Sequence, residues 1–426
     1  MIRVWPTGGL WRHPDFLRLW SAQTISQFGS QVSQLALPLA AILVLDASAF
    51  EVALLGTVEF LPFLLFALPA GVWVDRLRRK PILVLGDLGR AIALASIPLA
   101  YAFDTLTIWQ LYAVGFVVGV GTVFFDVAYQ SYLPSLFERG QLVEGNSKLE
   151  ISRSGTALAG PGLAGALIGA VTAPYAILLD AVSFIGSAGL IVRIRRTEPL
   201  PEPAVKPGMR RELVEGLRYL LGHRFLRPLA LTVAVSNFFN TLVFSIFLVY
   251  AVRQLDLSAA VIGLVLGIGN VGWLLGAVAA NRLSERFGVG LTLVGSAMVF
   301  NPALLLIPAA PQAHPIPFIV VALILVSFAG IVFNVTGLSF QQAVTPGRLL
   351  GRLNATRRFI VWGVIPLGSL AGGALASQIG LRPTLWVGAI GGSLSFLPLL
   401  LSPVRSIGPM KEAVLEHSHA PAVSDA

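Results

Sequence analysis

The sequence has no cysteine in its 426 residues, which excludes disulfides, thiolate metal sites and cysteine nucleophiles and leaves the redox compartment open. Charge is scarce as well. Only 12% of the residues are Asp, Glu, Lys or Arg, against about a quarter in soluble domains. None of Lys80, Lys148, Lys206 or Lys411 follows a glycine, so no P-loop can form and ATP hydrolysis is not expected. The five histidines, His13, His223, His314, His417 and His419, lie outside the apolar spans or at their ends. No intramembrane haem or metal site is therefore expected. Enzyme activity has no support in the sequence, and no cofactor is implied.

What is abundant is apolar. Hydrophobic residues make up 55% of the chain, in runs of about 20 residues or more, enough to cross a hydrocarbon core of about 30 Å. Spans are predicted near 19–45, 52–74, 81–103, 107–131, 149–171 and 175–193, then near 228–252, 260–281, 289–310, 317–341, 357–379 and 384–402. The fold class expected is an all-α membrane protein with twelve transmembrane helices in two pseudo-symmetric six-helix bundles. Residues 1–18 have no short apolar core before a small-residue cleavage site, so the first span is expected to remain in the mature protein.

The net charge of +9 reflects sorting of basic residues between loops rather than a nucleic-acid partner. Arg76, Arg78, Arg79 and Lys80 follow span 2, Arg139 and Lys148 follow span 4, and Arg193 to Arg227 fill the central connection. Arg282 and Arg286 follow span 8, Arg348, Arg352, Arg357 and Arg358 follow span 10, and Arg405 and Lys411 follow span 12. The alternate loops carry only Arg253 and Arg382. Positive loops face the cytoplasm, which predicts a multi-pass protein of the plasma membrane with both termini inside. The divisions expected are a first half at 1–194, a linker at 195–225, a second half at 226–403 and a disordered tail at 404–426. Within the linker, a Pro-rich stretch at 197–203 precedes an amphipathic helix from Met209 to Leu221 on the inner leaflet, with Leu213, Leu217 and Leu220 at helical spacing.

The sequence partly repeats itself at a shift of about 208 positions. Asn146, Gly155, Gly160 and Gly165 fall on Asn354, Gly363, Gly368 and Gly373. Asp75-Arg76-Leu77 falls on Asn281-Arg282-Leu283, and Phe16-Leu17-Arg18 on Phe225-Leu226-Arg227. Such parallel repeats occur in many transporters, and the glycines permit close helix approach.

A charge inside the bilayer costs at least about 2.5 kcal/mol and marks a pathway or a pair. Glu59, Asp126, Arg153 and Asp180 lie within spans. Glu59, Asp126 and Asp180 are the candidate proton carriers, with an Asp126–Arg153 pair as the alternative that would make Asp126 structural. On span 1, Gln23, Gln27, Ser30 and Gln34 share one helical face. Asn237 and Asn240 on span 7, beside Phe238, Phe239 and Phe244, and Asn334 and Gln341 on span 10 add further amides. Amides beside aromatics suit an amphipathic organic molecule; hydrogen bonding between helices is the structural alternative for each residue alone.

The loop after span 2, Gly71-Val72-Trp73-Val74-Asp75-Arg76-Leu77-Arg78-Arg79-Lys80, resembles the Gly-x-x-x-Asp-Arg-x-Gly-Arg-Lys signature of the major facilitator superfamily, with Arg78 in place of the second glycine. Gly160-Pro161-Gly162-Leu163-Ala164-Gly165 is similar to the Gly-Pro motif of its antiporters. The stretches from Asp126 to Leu136, Asn146-Ser147 and Asp180 to Phe184 resemble the drug:proton antiporter efflux branch that includes macrolide and enterobactin exporters. The resemblance implies that helices 1, 4, 7 and 10 line a central cavity, adding Tyr129 and Gln130 to its wall. It also implies a cytoplasmic gate of Gly71, Asp75, Arg76, Arg79, Lys80, Asn281 and Arg282; a solvated topology cluster is the alternative. Its partners would be membrane lipid, a small-molecule substrate and protons, and the exporter would be monomeric. An uptake carrier and a non-transporting membrane receptor remain open as other readings.

Overall fold

The computed structural model describes residues 9–74, 76–136, 139–196, 198 and 209–409, and these are helical nearly throughout. Helices α1 Pro14–Leu43, α2 Ala49–Val74, α3 Arg79–Ala102, α4 Ile108–Leu136, α5 Arg139–Val171 and α6 Ala173–Val192 form the first set. The amphipathic α7, Met209–Gly222, follows. Then come α8 Leu226–Arg253, α9 Ala259–Gly269, α10 Val271–Phe300, the single turn α11 Leu306–Ala309, α12 Pro315–Val344, α13 Gly347–Ile379, α14 Leu381–Ser393 and the turn α15 Leu397–Leu400.

Ten stretches among the described residues are long and apolar enough to cross a bilayer. Two corrections to that number give twelve crossings. Helix α1 is long enough at 30 residues, but its amides dilute its hydropathy. The 51-residue stretch from Ala259 to Ala309 turns back at Gly288, whose φ of 82° is open to glycine, and so counts as two.

The chain divides into two compact units, Met1–Val205 with Ala251–Gly267, and Lys206–Tyr250 with Ile268–Ala426. The expected boundary at the linker thus misses one exchange: the end of α8 and most of α9 belong with the first six helices. The cause is close backbone approach. A β-carbon built on Gly165 of α5 would lie 2.8 Å from the Gly263 Cα of α9, and the reverse construction gives the same distance. Within this first unit, a β-carbon built on Gly160 of α5 would likewise lie 2.8 Å from the Gln31 Cβ of α1, and Gly115 and Gly119 of α4 lie against Glu59 and Pro62 of α2. Gly155 differs from the expectation placed on it: a β-carbon there would meet nothing within 4 Å, so close approach is not its role. In the second unit Gly368 of α13 lies against Phe238 and Thr241 of α8, while Gly363 and Gly373 lie one turn or more to either side of it on the same helix.

The repeat has a backbone signature that the alignment of glycines does not reveal. Asp46 and Asp256 both sit at positive φ, 47° and 52°, where short polar side chains are tolerated. The amides of Ala47 and Leu257 then donate back to Ala41 and Ala251, at 2.9 and 3.0 Å. Ser48 and Ser258 cap the helices that follow, accepting from Glu51 and Val261. Glu51 returns the contact to the Ser48 amide at 2.7 Å, completing a capping box. Thr172 and Gly380 form a second matched pair, at φ 74° and 88°, before α6 and α14.

The amphipathic helix predicted from Met209 is α7, with a partner other than lipid for one apolar residue. Leu220 is buried with Leu226 and Leu353, and the Tyr219 hydroxyl donates to the Val344 carbonyl, while Leu217 and Leu221 remain exposed. The tail predicted to be disordered from 404 is ordered at its start. Val404 and Ile407 are buried in the core of the second unit, and the amides of Val289 and Gly290 donate to Gly408 and Ile407. The predicted tail beyond Pro409 and, apart from Glu198, the Pro-rich stretch at 197–203 lie outside the described residues.

Candidate functional site

In the second unit, Asn237 of α8 and Asn334 of α12 line a cavity of about 240 Å³ with Thr232, Ser236, Phe300, Phe333 and Arg357. Gln341 faces a narrower apolar recess that shares Asn334, Phe333 and Arg357 with that cavity. Three of the four amides predicted in this unit therefore line these two spaces. Asn240 does not line them; its amide nitrogen is buried without a hydrogen-bond partner among the described residues. Arg357, counted in the sequence as a loop charge, lies inside α13 and brings a guanidinium to the cavity wall. Beside the cavity the chain breaks between α10 and a 3-10 turn at Pro302–Leu305. The fully buried Asn301 at this break donates to both Ser236 and Ser395, fixing one wall.

In the first unit, the amide oxygens of Gln23 and Gln27 on α1 and the Tyr129 hydroxyl on α4 are buried with no hydrogen-bond partner among the described residues. Buried groups left unpaired cost about 1–3 kcal/mol each, and a ligand with matching polar groups offsets that cost. Ser30 is half-buried, while Gln34 and Gln130 are exposed.

The acids occupy three different environments. Glu59 is half-buried on α2 and has no ion-pair or hydrogen-bond partner among the described residues. Asp126 of α4 is exposed and acts electrostatically on Arg90. Asp180 of α6 is sealed, only 1% exposed, with Ser183 donating to its Oδ1 at 3.1 Å. Arg153 forks onto Glu150 of its own helix at 2.6 and 2.9 Å.

Sequence reasoning misses the buried pair at the centre of this group. Arg90 of α3 donates to Asp87 one turn back, and its guanidinium lies between the rings of Phe125 at 4.5 Å and Phe184 at 4.0 Å. Both side chains are withdrawn from solvent. The signal is present in the sequence as two opposite charges three residues apart within span 3.

At the end of the first unit where α2 passes into α3, the basic signature binds an acid of its own unit. The Glu198 carboxylate accepts from the Arg79 amide at 2.8 and 3.0 Å, from the Lys80 amide at 3.3 Å and from the Arg79 guanidinium at 3.0 Å. It thereby caps the N-terminus of α3, where free amides and the helix dipole favour an anion. Lys80 donates to the carbonyls of Val192 and Ile194, complementing the end of α6. Burial raises the Asp15 carboxyl, but donation from the Arg195 and Arg196 amides and from Arg18 outweighs this and leaves it below the usual carboxylate value. Arg78, the departure from the signature, has φ −67° and ψ 131°, so that position needs no glycine. Gly71 has open space around it, Arg76 is exposed, and Asn281 and Arg282 are exposed within α10. Asp75 lies outside the described residues.

Comparison with known proteins agrees with this architecture. The family model of the Major Facilitator Superfamily matches residues 19–360 and 230–424. The chain is 26% identical over 389 residues to the multidrug efflux pump Tap of Mycolicibacterium fortuitum, covering 88% of this chain and 91% of the relative. It is 24% identical over 371 residues to macrolide efflux protein A of Streptococcus pyogenes, covering 86% and 90%. In fold it resembles a bacterial homologue of the iron transporter ferroportin in its inward-facing state, with a TM-score of 0.74, 18% identity and coverage of 92% of this chain and 99% of the other. It also resembles the nucleoside transporter NupG, with a TM-score of 0.69, 12% identity and coverage of 91% and 98%. With twelve crossings, a repeated half and a family model matching most of its length, the chain belongs to the Major Facilitator Superfamily of membrane transporters.

Proposed function

We propose that this transporter exports small amphipathic organic compounds in exchange for protons, by alternating access, from a plasma membrane in which both termini are cytoplasmic. The observation that carries the reading is the cavity in the second unit. It sets the amides of Asn237 and Asn334 and the Arg357 guanidinium beside the rings of Phe300 and Phe333, a surface for molecules with an apolar body and a few hydrogen-bonding groups. The efflux relatives support the direction. Glu59, Asp126 and Asp180 supply the protonatable groups.

The energetics suffice. One charge moving through 100 mV is worth about 2.3 kcal/mol, so a proton at about 150 mV supplies roughly 3.5 kcal/mol. That sustains a gradient of a few hundredfold for a neutral substrate, at about 1.4 kcal/mol per decade.

The test is efflux of dyes and macrolides from cells expressing the protein, before and after collapse of the proton gradient, with Asn334→Ala and Arg357→Gln alongside. Export that stops with the gradient and loses about tenfold or more in either variant, the loss of one or two hydrogen bonds at about 1.4 kcal/mol per decade, supports the reading. Accumulation driven inward would assign uptake instead, and gradient-independent export would remove the proton.

A further inference from the structure

We propose that Asp180 is a proton-binding site sealed inside the first unit and positioned by the Arg90–Asp87 pair. The inference deepens the proton-exchange reading above by choosing among its acids and adding two residues to the machinery.

The first argument is charge balance. Asp87 and Asp180 are 0% and 1% exposed, and Arg90 is 5% exposed. Two carboxylates against one guanidinium leave one unbalanced negative charge in a site closed to water, and burying an unpaired charge is costly. A single proton removes it.

The second argument assigns the proton to one carboxyl. Arg90 is ion-paired with Asp87, and the pair is fixed by helical spacing on α3. Asp180 has no ion pair among the described residues, although Arg90 and Asp87 act on it through space. Its neighbour Ser183 has one hydroxyl proton and two acceptors, the Asp180 main-chain carbonyl at 2.8 Å and the Asp180 Oδ1 at 3.1 Å. One proton cannot serve both fully. Protonation of Asp180 resolves the conflict: an O–H bond forms on Oδ1 and donates to Ser183 Oγ, while the hydroxyl keeps its shorter bond to the carbonyl.

The third argument is unmet hydrogen bonding in the same pocket. Among the described residues neither the second Asp87 oxygen nor the Ser187 hydroxyl makes a hydrogen bond of ordinary geometry, although the two act on each other. The pair is therefore under-satisfied in this arrangement and poised to respond to a change in charge at Asp180. A metal cation is disfavoured there because hard cations need several oxygen ligands and Arg90 brings a positive charge to the site.

The surroundings are specific. From α3 the neighbouring charged groups are Arg90 and Asp87; from α4 Asp126 acts on Arg90, and the rings of Phe125 on α4 and Phe184 on α6 lie 4.5 and 4.0 Å from the guanidinium. Helix α1 presents Ser33 and the bare backbone of Gly29, where a β-carbon would fall 2.8 Å from the Ser183 Cβ. The exposed Asp126 adds a further carboxylate that acts on Arg90 through space.

The test is infrared difference spectroscopy of the full-length protein in liposomes, stepped between acidic and alkaline buffer across the neutral range. A protonated-carboxyl stretch is expected in the wild type, absent from Asp180→Asn and retained in Glu59→Gln. Asp180→Asn mimics the protonated state and should keep its fold, checked by its thermal midpoint. If that variant does not fold, Ser183→Ala, which removes the hydrogen-bond acceptor, should shift the band. A wild type without the band, a band unchanged by Asp180→Asn or by its fallback Ser183→Ala, or a band that follows sodium rather than pH would overturn the proposal. Cells that do not export while the band behaves as expected would count against the export reading and leave this site standing.

Discussion

At the residue scale, Arg90 shows how a membrane protein holds a charge in its interior. The guanidinium has an acid one turn back on its own helix and aromatic faces on two others, so its desolvation is offset from three directions. Removing it leaves Asp87 buried and unpaired. Arg90→Met should cost roughly 3–5 kcal/mol, read as a fall in the unfolding midpoint in detergent, and Arg90→Met with Asp87→Leu should recover part of that loss. Asp15 makes a prediction in pH. Its folded carboxyl lies below the usual value, so its contribution to stability is present above the ordinary value of about 3.9 and is lost as pH falls through the lowered one. Thermal unfolding followed down to about pH 3 should show a steeper acid loss in wild type than in Asp15→Asn, and parallel curves would assign Asp15 no such role. Some of these residues were legible in the sequence and some were not. Asn237, Asn334 and Gln341 could be read because an amide in a span must face protein; Arg357 could not, because nothing local distinguishes a loop arginine from one in the first turns of a helix.

At the element scale, the helices of the first unit meet through glycines used selectively. Gly165 of α5 and Gly263 of α9 bring two backbones within 2.8 Å of each other's built β-carbons. Gly263→Val should therefore cost at least the roughly 1–3 kcal/mol of an overpacked interface. Gly155 lies in open space, and Gly155→Ala should be neutral or stabilise by up to about 1 kcal/mol through helix propensity. Comparing the two unfolding midpoints separates close approach from mere repeat register, which the sequence alone presents identically. Helix limits were readable wherever apolar runs end in charge or proline. The turn at Gly288 and the order at 404–409 were harder to read, since the apolar run from 259 to 309 hides the first and the composition of the tail hides the second.

At the scale of the whole molecule, the absence of cysteine makes topology directly measurable. If the basic loops face the cytoplasm, Thr105→Cys, between α3 and α4, should react with an impermeant thiol reagent on intact cells. Glu285→Cys, near the end of the first part of α10, should react only after lysis. Both positions are exposed, so a reversed pattern would invert the orientation. Membership in the transporter superfamily follows from properties spread over most of the chain, whereas the proposed substrate and proton exchange rest on a few side chains. For that reason efflux under a collapsed gradient and the behaviour of individual carboxyls are independent measurements.

Read along the chain alone, the residues already establish the solvent, the number of crossings, the doubled plan and the family. Hydrophobic run length and charge distribution are read along one dimension, and a bilayer acts on both without regard to which helices later touch. The tertiary structure alone decided which faces meet. It placed Arg90 between Phe125 and Phe184, set Ser183 and Gly29 against Asp180, seated α9 on α5 and turned Arg357 toward a cavity. Those pairings join residues distant in sequence through approaches of a few ångströms, and neither periodicity nor composition along the chain records them.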